Sequence, residues 1–304
     1  MTFDVRASTH RRARAALVGA FLLILAGGLV TSRDAGLAVP DWPLAFGQLN
    51  PPGWWQIENI RTEHGHRILA FCVALWTAFL LVTVLRNERL VLLRRLTIAA
   101  AGIVILQALL GGLRVLHLSV DLAMIHGVVG QLFFATLASV VAVSSPTWNA
   151  AKASPSSRSE QIRSALLFIT VFAQLLLGLF IRHLGAQARP MSGSLLFYLH
   201  VLGAGLVLSA VLDSQFSGRR SSPTDRALLP LVCTQILLGI ATFVTTEDMV
   251  FDRQVTPLEA WLPTLHVGTG AALLAVGCVR NLHAWGNTLD PTSTDSNGIR
   301  GASQ

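Results

Sequence analysis

Eight stretches of the chain are apolar and nearly free of charge, at about 15–32, 66–85, 96–113, 122–143, 164–181, 194–212, 227–245 and 260–281. Each approaches the roughly 20 residues that a helix needs to cross a bilayer. The pattern predicts an all-α membrane protein of eight transmembrane helices. Between the runs lie a basic segment at 1–14, a long first loop from Arg33 to about Glu63, a polar stretch at 144–163 and a tail at 282–304. The tail is rich in Ser, Thr, Asn, Asp and Gly, a composition expected to be disordered. The first apolar run follows Arg6, Arg11, Arg12 and Arg14, but no small-x-small cleavage signal follows it, so an uncleaved first helix is expected.

The polar positions also set an orientation. With the N-terminus inside, sixteen of the 23 Lys and Arg residues fall in inner segments, which predicts that both termini are cytoplasmic. The first loop carries Pro40, Pro43, Pro51, Pro52, Trp42, Trp54 and Trp55, suited to an aromatic belt or to a lid lying on the outer membrane surface.

A repeat runs through the helices. Gln107-Ala-Leu-Leu-Gly111 recurs as Gln174-Leu-Leu-Leu-Gly178 and Gln235-Ile-Leu-Leu-Gly239, and a histidine follows in the next apolar run each time. His66 and His200 are 134 residues apart, and His126 and His266 are 140 apart. These spacings predict two pseudo-repeated four-helix bundles, an N-terminal half at 15–143 and a C-terminal half at 164–281. The glutamines are expected to make interhelical hydrogen bonds, and the glycines to let helices approach closely.

Composition narrows the class. Charged residues make up 13% of the chain, against about 25% in soluble domains. The formal net charge of +7 comes from basic residues scattered between apolar runs, without a basic stripe carrying aromatics, which argues against a nucleic-acid partner. Cys72, Cys233 and Cys278 lie inside apolar runs, so neither a disulfide framework nor zinc spacing is present, and Cys-x-x-Cys-His, the c-type heme signature, is absent. Walker, Rossmann and nucleophile-elbow patterns are absent too. Redox chemistry would therefore have to come from a bound cofactor.

His66, His126, His200 and His266 each sit a few residues inside an even-numbered run, at similar depth near the outer face. Taken singly, each could be an interhelical hydrogen-bond partner. Four at one depth point to a shared task in a place where ionisable groups are costly, and two pairs of imidazoles suit axial ligation of two heme irons. In Arg61-Thr-Glu63-His64-Gly65-His66-Arg67, helical geometry puts Glu63, His66 and Arg67 within about 100° of one another and turns His64 about 160° from His66. Glu63 can act as a proton-transfer group or as a helix-start ion pair. Arg67 can pair with it or with a heme propionate. His64 is expected at the interface and His10 and His283 in solvated inner segments. His117 and His183 fall in outer loops, where they could reach a propionate. The residues leave three readings open: a membrane oxidoreductase, a non-catalytic diheme b-type electron-transfer protein, and a transporter with histidine proton relays.

The chain resembles the heme A synthase family over about residues 15–281. The resemblance rests on Glu63-x-x-His66-Arg67, Pro40-Asp41-Trp42-Pro43, Leu110-Gly111-Gly112-Leu113, Ile181-Arg182-His183-x-Gly185-Ala186 and the even-helix histidines. It implies a heme-dependent oxidoreductase that converts the C8 methyl of heme O to the formyl group of heme A. His66 and His126 would hold the substrate heme beside a catalytic Glu63, and His200 and His266 a heme b cofactor, with Arg67, Arg182 and His183 as further cofactor-binding residues. The partners expected are the lipid bilayer, an electron-transfer protein, heme O synthase and the cytochrome oxidase assembly machinery, with homo-oligomerisation left open. Many family members flank the Pro-Asp-Trp-Pro motif with cysteines; this chain has Val39 and Ala45 there. Its first loop is therefore expected to be ordered by its prolines and tryptophans.

Overall fold

The eight apolar runs fold as eight long helices in the computed structural model, which describes residues 2–146, 148, 156–184, 194–216, 222–247 and 255–289. They are α1 (Thr2–Ser32), α2 (Glu58–Asn87), α3 (Val91–Leu116), α4 (Val120–Ser144), α5 (Arg158–Leu184), α6 (Leu195–Phe216), α7 (Pro223–Thr246) and α8 (Pro257–Leu289), with a 3₁₀ turn at Trp54–Gln56. All eight are long and apolar enough to cross a membrane. No strand occurs among the described residues.

Polar residues at the ends of the runs start the helices. The Ser119 hydroxyl accepts from the Leu122 amide at 3.2 Å at the start of α4, and Ser222 and Asp225 form a reciprocal capping box ahead of α7. Such caps occupy amide N–H groups that the first turn leaves unpaired.

Helices α1 to α4 form one closed ring of neighbours and α5 to α8 a second. In each ring the even-numbered helices stand at opposite corners. The halves meet where α8 packs on α1 and α4, and α4 also touches α5. One apolar core runs through the first ring and takes in Ala271 and Ala275 of α8; the other fills the second ring and takes in Ala135 of α4. Large apolar side chains on the outer faces, such as Phe71, Ile105, Leu202 and Leu237, remain exposed, as expected of a surface that lies against lipid tails.

Several helices outrun their apolar stretches. α2 begins at Glu58 and α8 continues to Leu289, so 282–289, expected in a disordered tail, are helical; residues 290–304 lie outside the described residues. His10 is not in a solvated segment: its Nδ1 lies 3.2 Å from both the Val141 carbonyl and the Ser144 hydroxyl, joining α1 to α4. His283, expected in solvent, is exposed and also lies beside Trp148, the rings tilted with centres 5.2 Å apart. Long polar side chains entering the headgroup zone can still pack against a neighbouring helix.

Candidate functional site

The four histidines project from α2, α4, α6 and α8, and each lies against a glycine of the helix before it. A Cβ added at Gly27 would sit 3.1 Å from the His66 ring, at Gly111 3.2 Å from His126, and at Gly178 and Gly239 3.0 Å from His200 and His266. The four helix hairpins therefore share one device, in which a missing side chain on the odd helix seats an imidazole from the even one. Gly111 and Gly178 close the repeat read from the sequence. Gly27 does the same for α1 although its segment, Leu23-Ile-Leu-Ala-Gly27, lacks the glutamine.

The glutamines act as struts. Gln107 Nε2 donates to the His126 carbonyl at 2.8 Å, and Gln174 Nε2 to the His200 carbonyl at 2.7 Å. Gln235 differs, because its side-chain nitrogen lies 3.2 Å from the His266 ring and its carbonyl oxygen 3.0 Å from His266 Nδ1. His266 is the one ligand candidate whose ring is oriented by a hydrogen bond. The Nδ1 atoms of His66, His126 and His200 are buried with no hydrogen-bond partner. Buried ring nitrogens rarely stay unpaired in a finished site.

These residues fit an axially ligated heme. The His200 and His266 rings have centres 6.3 Å apart. An iron shared by two imidazoles needs about 6 Å, from metal–nitrogen bonds of about 2 Å and roughly 1 Å from nitrogen to ring centre on each side. Among the described residues no three His, Cys, Asp or Glu side chains converge as a metal-binding group. The histidines come in pairs, and a macrocycle-borne iron leaves two axial positions that such a pair can fill.

Around His66 the structure adds a carboxylate. Glu63 is 4% exposed, and its Oε1 accepts from Arg67 at 2.6 Å while its Oε2 accepts from the Val39 amide at 2.9 Å. The Arg67 guanidinium donates further to the carbonyls of Val39, Asp41 and Leu44, at 3.0, 2.7 and 3.1 Å. These four bonds involve both terminal nitrogens and leave Nε as its remaining donor. Of the two partners expected for Arg67, the structure shows Glu63, and the remaining bonds of the guanidinium fasten the first loop to that carboxylate. The positions three before and one after the other histidines are Ala123 and Gly127, Phe197 and Val201, and Pro263 and Val267. Only His66 has a carboxylate and an arginine beside it.

The loop is pinned across 39–64. Val39 and Ala45, which flank the Pro-Asp-Trp-Pro motif, are 0% and 2% exposed. Val39 is held by Glu63 and Arg67, and Ala45 pairs with Gln48 through 2.7 and 3.0 Å backbone bonds. Asp41 accepts from the Phe46 and Gly47 amides, both at 2.7 Å. The Gly47 amide chiefly holds the Asp41 carboxyl below its usual value of 3.8, outweighing the opposing effect of burial with help from the Phe46 amide. Trp42 lies against α3 at Gly112, where any Cβ would collide with the indole. His64, expected at the interface, is 4% exposed. It lies 3.3 Å from Asn50 Oδ1 and edge-on to Trp54. Prolines and tryptophans do contribute, but polar side chains of α2 anchor the loop.

Arg182 donates to the Gly28 carbonyl, the Ser32 hydroxyl and the Pro263 carbonyl at 2.7, 2.8 and 3.3 Å, so it joins α5 to both α1 and α8. With His183 it lines a cleft at the same end of the molecule. His117 is exposed at the end of α3. Gly185 and Ala186 lie outside the described residues.

Comparison with known proteins agrees with this architecture. Residues 2–138 match the cytochrome oxidase assembly protein family, COX15-CtaA. The heme A synthase of Symbiobacterium thermophilum is 30% identical over 227 residues, covering 67% of this chain and 73% of that protein. The heme A synthases of Brucella ovis and Brucella suis are 35% identical over 97 residues, which is 29% of this chain and 27% of theirs.

Proposed function

The chain belongs to the heme A synthase family, and from that premise we propose that it oxidises the C8 methyl of heme O to the formyl group of heme A. Its coarser role, as a multi-pass membrane oxidoreductase of heme A biosynthesis for cytochrome oxidase, follows from the family and the eight apolar helices. The observation that carries the finer reading is the buried Glu63–Arg67 pair beside His66, which has no counterpart at the other three histidines.

In this reading His66 and His126 hold the substrate heme, and His200 and His266 hold a resident heme b. When bound, that cofactor supplies one-electron transfer. The hydrogen bond to His266 Nδ1 suits a resident site, because fixing the second ring nitrogen orients a ligand and raises its basicity. Glu63 takes up and releases protons at Oε1 or Oε2 as the methyl is oxidised, and Arg67 holds that carboxylate in place. The 39–47 segment covers the pair, and excluding water strengthens the electrostatics beneath it. The basic-residue bias supports an orientation with this end of the molecule on the outer side of the cell membrane and both termini cytoplasmic.

Co-expression with a heme O synthase, followed by chromatography of the extracted hemes, tests the reading. The wild-type chain should yield heme A. Glu63→Gln, which keeps a partner for Arg67, should retain bound heme yet lower the yield of heme A by about 10²- to 10⁴-fold, the usual worth of a positioned acid–base group. Undiminished conversion by the Gln variant would remove Glu63 from the chemistry, and folded wild-type protein that makes no heme A would refute the assignment.

A further inference from the structure

At the end of the molecule opposite the first loop, α1 and α2 hold an arginine whose side-chain partners are all neutral. The Arg12 guanidinium lies over the Phe79 ring, 5.1 Å from its centre, and its Nη1 donates to the Thr83 hydroxyl at 3.4 Å. The Trp76 indole donates to the Arg12 carbonyl at 3.1 Å and packs beside Phe79, with ring centres 5.6 Å apart. Residues 76, 79 and 83 recur at helical spacing, so one face of α2 supplies all these contacts. Arg12 forms no ion pair among the described residues, and one long hydrogen bond leaves most of its N–H donors unspent.

Depth makes an unneutralised guanidinium costly at this place. Phe79 and Thr83 belong to the apolar run at 66–85, and a cation at such a level is stable when it reaches the headgroup zone or meets an anion. The chain itself offers little negative charge. Across 6–16 and 76–100 the sole acid is Glu88, and it is buried at the turn between α2 and α3. Arg11 and Arg86 are exposed on either side. Arg11 continues the exposed α1 stripe of Val18 and Leu22, and Arg86 the exposed α2 stripe of Leu75 and Phe79. The cationic spot therefore opens onto faces that lie against lipid tails, where an anion arrives most readily with acyl chains attached.

We infer that Arg12, Thr83 and the Trp76–Phe79 pair form a binding site for one anionic phospholipid, with its phosphate on Arg12 between Arg11 and Arg86 and an acyl chain along the exposed faces of α1 and α2. In the orientation proposed above the lipid belongs to the cytoplasmic leaflet, whose anionic headgroups attract juxtamembrane arginines. The guanidinium fork matches two phosphate oxygens, and the face of Phe79 steadies its plane. Trp76 ties α2 to the α1 backbone at the same point, so the site is held by both helices.

The test places the full-length protein in phosphatidylcholine nanodiscs and titrates in phosphatidylglycerol with brominated acyl chains, which quench a neighbouring indole. The Trp76 signal is the difference in quenching between wild type and Trp76→Phe. It should be half-quenched at a mole fraction about fivefold or more below that needed with brominated phosphatidylcholine, the preference that one arginine near a headgroup supplies. Arg12→Gln should bring the two lipids level. Arg226→Gln, which removes an exposed arginine at the same end of the other half, should leave the preference as it is. Equal quenching by the two lipids in wild type would overturn the inference without recourse to any variant. So would equal loss of preference in both arginine variants, since general surface charge would then attract the lipid. Relief of the quenching by millimolar inorganic phosphate would assign Arg12 to a free anion and overturn it as well. The readout involves no heme, so it stands or falls separately from the proposed reaction.

Discussion

At the scale of single residues, the account turns on one carboxylate and one arginine. Glu63 and Arg67 are a turn apart on α2, and their shared face with His66 is legible from helical periodicity alone. What periodicity could not show is that Arg67 spends its terminal N–H groups on carbonyls 23 to 28 residues earlier in the chain. Contacts of that range depend on how the loop folds back, and the loop has no repeating pattern to read. The partners of His64, Asn50 and Trp54, are hidden from periodicity for the same reason, because both belong to the loop.

Asp41 makes the loop sensitive to acid. It receives the amides of Phe46 and Gly47, residues whose φ angles are 52° and 73°, a region that suits Gly47 and is unfavourable for Phe46. Its carboxyl is held below 3.8 in the folded loop. The ionised form therefore steadies the loop fully above the unfolded value, and that contribution fades as pH falls through the lower folded value. Limited proteolysis of the 39–50 segment should be slow at neutral pH and accelerate below about pH 4. Asp41→Asn should cleave faster at neutral pH and lose most of that acid response; a variant that cleaves like wild type across the range would remove Asp41 from this role.

At the scale of elements, glycine placement explains the helix hairpins. A side chain at Gly111 or Gly178 would enter the space of the His126 or His200 ring, whereas Gly102, Gly205 and Gly277 face nothing within 4 Å. Gly111→Val and Gly178→Val should each lower heme occupancy about tenfold, the consequence of overpacking by 1–3 kcal/mol. Gly102→Ala, Gly205→Ala and Gly277→Ala should leave the heme spectrum as it is. Equal losses in both sets would mean that the imidazole seat does not distinguish these positions. Gly112 makes a separate prediction, since Gly112→Ala should dislodge Trp42 and shift its fluorescence without displacing His126.

The helices themselves were readable because each is apolar around its circumference, which is the solution that lipid imposes. Their ends were less so. The first two turns of α2 and the end of α8 carry polar residues and fall outside the apolar runs, yet they are helical: the former pack on the loop, and 283–285 of α8 contact Trp148, Gln161 and Arg158. The glutamine repeat marked three hairpins. The first, with Leu23 in the glutamine's place, shows its kinship only through the contact between Gly27 and His66.

At the scale of the whole molecule, two rings of four helices place two pairs of histidines at one end, and the pairs are not equivalent. The N-terminal pair has a buried carboxylate and a pinned loop; the C-terminal pair has rings 6.3 Å apart and a hydrogen bond that orients His266. Equal spacing in the sequence reveals the two halves. The difference between them lies in contacts between helices, of which only the Glu63 motif leaves a mark in the sequence. The division of tasks predicts which heme each half should hold.

That division is measured most directly by extracting and quantifying the hemes bound to purified protein after co-expression with a heme O synthase. The wild-type chain should carry both heme b and heme O or heme A. His66→Ala/His126→Ala should lose heme O and heme A and keep heme b, and His200→Ala/His266→Ala should lose heme b and keep heme O. Parallel loss of both hemes in either folded variant, or an exchange of the two patterns, would contradict the account.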